Sequence, residues 1–71
     1  MELYNTKDIS RMCNIPYTVT LTYLGHFSFS KHRYGSRYKV DNDFYKTLIK
    51  YLQNKRTNYK YIRNVEGLMN D

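Results

Sequence analysis

The side chains best able to do chemistry in this chain are its cations, and they are clustered. Residues 31–39 hold Lys31, Arg33, Arg37 and Lys39 with no acid, and residues 55–63 hold Lys55, Arg56, Lys60 and Arg63, again with no acid. Each block therefore carries +4. Acids and bases cancel over 1–30 and over 40–54, and Glu66 and Asp71 make the last segment −2, so the two blocks account for the whole net charge of +6. Guanidinium and ammonium groups packed at this density serve phosphate recognition, which favours a polyanionic partner, nucleic acid ahead of an anionic membrane surface. A basic run standing alone is usually a solvated face. Two such runs flanking a neutral amphipathic segment point to a functional patch.

The remaining reactive side chains form no catalytic constellation. There is no carboxylate pair, no Ser/His/Asp arrangement and no glycine-rich phosphate loop, so no enzyme activity is expected. His26 follows a helix end and reads as a capping or packing residue. His32 lies inside the first basic block and reads as a polar contact. Cys13 falls on an apolar helix face and reads as core. One cysteine cannot make an internal disulfide, and one Cys with two His lacks zinc-ligand spacing; no metal or cofactor is expected. No apolar run approaches membrane-spanning length, and the N-terminus lacks a signal-peptide pattern, so a cytoplasmic protein is expected with no membrane partner.

Seventy-one residues suffice for one small core. Asn, Lys, Tyr and Ile supply 27 of them, while Ala and Trp are absent. AT-rich coding and ordinary packing account for the nine tyrosines more simply than a base-stacking surface does.

The elements that position these groups follow from spacing. Thr6 suits an N-cap, Asp8 the first turn, and Ile9, Met12 and Cys13 share one face of a helix over 7–13. Asn14 tolerates a left-handed stop. Pro16 fits a first helical position, opening a second helix from Tyr17 to Leu24. Thr18, Val19, Thr20 and Thr22 make that helix intrinsically poor, so tertiary packing must hold it. Phe27-Ser28-Phe29-Ser30 and Arg37-Tyr38-Lys39-Val40 alternate with period two, which predicts two strands, a connecting loop at 31–36 and a core face of Phe27, Phe29, Tyr38 and Val40. Asp41 caps a third helix, on which Phe44, Leu48 and Leu52 recur at i, i+4 and i+8 and which should end near Asn54. Ile62, Val65 and Met69 suggest a fourth helix, or one long helix continuing the third. The expectation is a mainly α fold with a small β-hairpin: residues 1–54 as a domain, and 55–71 as a basic helical segment for packing or dimerisation.

The order short helix, tight turn, second helix, β-hairpin, third helix is that of a winged helix-turn-helix, with three to four helices and a two-stranded wing. Residues 6–16 (Thr6-Lys7-Asp8-Ile9-Ser10-Arg11-Met12-Cys13-Asn14-Ile15-Pro16), Leu24-Gly25, and Tyr34-Gly35-Ser36-Arg37-Tyr38-Lys39-Val40 with Asp41 carry the similarity. Over residues 3–54 the chain resembles the MerR-like DNA-binding domain and the related excisionase family of small phage and mobile-element proteins. One departure is instructive. The helix-turn-helix spacing asks for an apolar residue five positions after Ile15; that is Thr20, with Val19 one position early. Either the second helix is rotated or the Thr20 methyl fills the slot.

The resemblance implies a binder of double-stranded DNA. Tyr17, Thr18, Thr20 and Thr22 are the candidates to face a major groove, and the rotation of the helix leaves open which of Tyr17, Thr18, Leu21 and Thr22 point outward. Lys31, His32, Arg33 and Arg37 would reach the backbone or a narrow minor groove, and Arg11 a phosphate. Outside the resemblance, Lys55 and Arg56, with Lys60 and Arg63, form a second patch that would either bind adjacent DNA or face solvent. Two roles fit, an architectural excisionase of a phage, plasmid or other mobile element acting in DNA recombination, or a transcription regulator. A homodimer or cooperative oligomer on DNA belongs to this reading, as does a recombinase or other protein partner. The competing readings are a protein-interaction module on the same scaffold and, below it, an RNA-binding or membrane-surface protein.

Overall fold

The computed structural model describes residues 2–69. Its elements run β1 (Leu3–Tyr4), α1 (Thr6–Cys13), α2 (Tyr17–Leu24), a 3₁₀ helix (Phe27–His32), β2 (Arg33–Tyr34), β3 (Arg37–Lys39), α3 (Asn42–Asn54) and α4 (Tyr59–Met69). The fold is mainly helical with a three-stranded antiparallel sheet of order β1-β3-β2.

Helix α1 is capped one residue earlier than expected. The Asn5 side chain, and not Thr6, accepts from the Asp8 N–H at 2.8 Å. At its other end Asn14 adopts φ 53°, and the Ile15 N–H reaches back to the Ser10 carbonyl at 3.0 Å. That is the left-handed termination expected of Asn there. Pro16 stands just outside α2 with extended ψ, so it precedes the helix instead of opening it.

The segment expected as the first strand is the largest departure. Phe27–His32 winds as a 3₁₀ helix. His26 accepts from the Ser28 N–H, and the Ser30 hydroxyl donates to the Phe27 carbonyl at 2.8 Å. These local bonds replace ladder bonds. The three-residue period carries Phe29 and His32 inward together and turns Phe27 out to 81% exposure, off the expected core face. The hairpin is accordingly tighter: Arg33 pairs with Tyr38 and Tyr34 with Arg37 around Gly35-Ser36. Gly35 takes φ 68°, a conformation glycine adopts without steric cost. On the far side of β3, Leu3 pairs with Lys39 and Tyr4 with Tyr38.

Asp41 caps α3, accepting from the Phe44 N–H at 2.9 Å. Phe44, Leu48 and Leu52 are fully buried, as their spacing predicts. Helices α3 and α4 are separate. Arg56 takes φ 51° and the Thr57 N–H returns to the Leu52 carbonyl, which is the same termination that ends α1. Helix α4 packs on α3 and α1, with Ile62 and Val65 in one core with Ile9, Cys13, Ile15, Tyr23, Leu24 and Phe29.

Candidate nucleic-acid interface

The burial pattern of α2 resolves its rotation. Thr20, Tyr23 and Leu24 face the core, while Tyr17, Thr18, Leu21 and Thr22 are exposed. Thr20 is fully buried, which removes it from the expected groove-facing set. Its hydroxyl donates to the Pro16 carbonyl at 3.1 Å, so the polar group is satisfied within the helix and the methyl fills the core slot. The Thr22 hydroxyl likewise donates to the Thr18 carbonyl at 3.0 Å. The outward face therefore presents the Tyr17 ring, the Leu21 side chain and threonine methyls, and carries no charge. All four of the residues whose orientation the sequence left open, Tyr17, Thr18, Leu21 and Thr22, are exposed, so Leu21 joins the candidate residues.

The first basic block is divided. Lys31 pairs with Asp43 at 2.8 Å, and this bond is the main reason the Asp43 carboxyl titrates below its ordinary range. Lys39 lies 3.7 Å from Asp41. His32 is not a surface contact as expected. It is buried, Nδ1 3.9 Å from the Asp41 carboxylate and Nε2 3.5 Å from that of Asp43, with Phe44 edge-on to its ring. It packs the end of the 3₁₀ helix against the start of α3, and its Nε2 finds no hydrogen-bond partner among the described residues. Arg33 and Arg37 remain exposed, with no ion pair among the described residues; Arg33 Nε donates only to the Gly35 carbonyl at 3.0 Å. The hairpin tip thus holds two cations free to meet a phosphate, whereas the two at its base are already neutralised.

Arg11 is exposed in the last turn of α1. Lys55 and Arg56 are exposed in the turn between α3 and α4; the Lys55 ammonium sits 5.9 Å from the Tyr51 ring centroid. Asn64 Nδ2 donates to the Asn14 carbonyl at 3.3 Å, tying α4 to the turn between α1 and α2. No hydrogen bond or ion pair among the described residues links the outward side chains of α2 to the hairpin; the 3₁₀ helix, packed on α2 and running into β2, is the spacer between them. Among the described residues no group of three or more His, Cys, Asp or Glu is arranged to hold a metal ion, and no helix is long and apolar enough to cross a membrane.

Two buried groups are titration outliers without a surface role. Burial pushes the Cys13 thiol up to about 11 and raises the Tyr23 hydroxyl as well. Both lie inside the core shared by α1 and α2, so Cys13 is a packing residue.

No family model, curated protein or solved structure matches the chain.

Proposed function

We propose that the chain is a small winged helix-turn-helix protein that binds double-stranded DNA with sequence preference. It would serve as an excisionase-like architectural factor of a mobile element or phage, or as a transcription regulator. The observation that carries the reading is the contrast between two exposed surfaces. One is the uncharged outer face of α2; the other is a hairpin tip whose Arg33 and Arg37 have no acidic partner among the described residues. The division matches the division of labour in DNA recognition, where cations contact phosphates and position the protein while a helix reads base edges. Without a bidentate Arg, Asn or Gln, α2 would read through the Leu21 side chain, threonine methyls and the Tyr17 ring. Such contacts suit thymine methyl groups in the major groove. No catalytic step is part of this reading.

Chemical-shift mapping with a ¹⁵N-labelled chain and a short duplex tests it. Shifts concentrated at Tyr17, Thr18, Leu21, Thr22 and the Arg33–Arg37 hairpin support the reading. Shifts confined to α3 and α4, or none at low salt, overturn it.

A further inference from the structure

The DNA reading leaves one surface unused. Phe27 is 81% exposed, the most exposed of the large apolar side chains described. Its exposed ring lines the edge of a concavity of about 290 Å³. The His26 ring lies against it, with centroids 4.3 Å apart at 31°, and meets Tyr51 edge-on at 5.2 Å. The imidazole is held in place by Ser28, whose hydroxyl is 2.8 Å from Nδ1. The opposite wall is a single face of α3, where Thr47, Lys50, Tyr51 and Asn54 recur at helical spacing. Lys50 and Lys55 supply the charge, no carboxylate lines the site, and neither lysine has an ion pair among the described residues.

We propose that this concavity docks an acidic segment of a partner protein, which lays one large apolar side chain against the aromatic cluster of Phe27, His26 and Tyr51. Charge complementarity selects the occupant. Two unpaired lysines beside an aromatic floor attract a chain bearing Asp and Glu, and they repel a second copy of this chain, whose net charge is +6. The volume suits one anchor side chain, since sites for drug-sized ligands begin at about 300 Å³. Lys55 is shared with the residues expected to touch DNA, whereas Phe27 and Lys50 are not, so substitutions at those two separate the proposals.

The chain contains no tryptophan, so a tryptophan in a probe peptide can be excited selectively. The probe is a capped decapeptide of Asp and Glu with one central Trp. Saturable binding with a blue-shifted emission is expected. Phe27→Ala and Lys50→Glu should each weaken it at least about tenfold, while Arg33→Ala with Arg37→Ala leaves it unchanged. Phe27 is so exposed that its truncation should leave the circular-dichroism melt in place, which separates lost docking from lost folding. Three results overturn the proposal. The first is no saturable binding. The second is a loss on Arg33→Ala with Arg37→Ala equal to that on Phe27→Ala, which is general charge attraction. The third is displacement of the peptide by oligothymidylate whose own binding is lost in Phe27→Ala, which makes the pocket a nucleobase site.

Discussion

If the hairpin tip grips phosphates, its two arginines must behave differently from the two lysines at its base, even though all four lie within nine residues. Each phosphate neutralised by a protein cation contributes a slope of about 0.9 to the fall of log affinity with log salt. Arg33→Ala with Arg37→Ala should therefore make the slope shallower by about 1.8. Between about 50 and 200 mM salt, the wild type should lose roughly tenfold more affinity than this double variant. Lys31→Ala with Lys39→Ala removes the same formal charge. Those ammonium groups, however, already face Asp43 at 2.8 Å and Asp41 at 3.7 Å, so few counterions are displaced through them. Their loss should change the slope by less than half as much. Fluorescence anisotropy of a labelled duplex across that salt range, run on the wild type and both double variants, reads the difference. Arg33 makes only an exposed bond to the Gly35 carbonyl, so its loss should leave the melting temperature nearly unchanged. Equal slope changes in the two variants, or an unchanged slope in the arginine variant, would refute the assignment of the tip as the phosphate contact.

Further expectations concern the scaffold. Arg56 is held at φ 51°, where an L-residue with a side chain is strained by roughly 1 kcal/mol, so Arg56→Gly should raise the melting temperature by several degrees. A calorimetric scan showing a lower value would contradict this. Val65 is fully buried against the core, so Val65→Asp should leave a carboxylate without a partner there and abolish the cooperative melt; a folded variant would show that α4 is dispensable. The Cys13 thiol, raised from 9.0 to about 11, should react slowly with a disulfide reagent at mildly alkaline pH in the folded chain and fast once unfolded. Because the folded state holds that proton more tightly, its stabilising contribution is complete below about pH 9 and lost as the pH rises toward 11. Cys13→Ala should show a smaller drop in melting temperature over that interval.

Most helices were legible because their signals are local. Asp41 and the Phe44, Leu48 and Leu52 spacing announce α3, and Asn14 announces the end of α1. The misread segments fail for physical reasons. Four residues of Phe-Ser alternation satisfy a strand, yet a three-residue period also turns Phe29 and His32 to one side, and side-chain-to-backbone bonds from His26 and Ser30 decide for the 3₁₀ helix. Strand β1 is two residues long, too short for any period, and exists through its pairing with β3. In the candidate site, the outward face of α2 was ambiguous because Val19 and Thr20 compete for one core slot. Thr20 takes it by donating its hydroxyl to Pro16. The neutralisation of Lys31 by Asp43 links residues on two elements, and no local pattern signals it.

The proposed function rests on sequence-preferring binding to double-stranded DNA. The most direct measurement is an anisotropy titration of the intact chain against duplex fragments from its own genetic neighbourhood and a scrambled duplex, at low and near-physiological salt. One fragment should bind tightly and keep most of its preference over the scrambled duplex when the salt is raised. Weak and equal binding to every duplex, abolished by modest salt, would contradict it and reduce the +6 charge to nonspecific attraction.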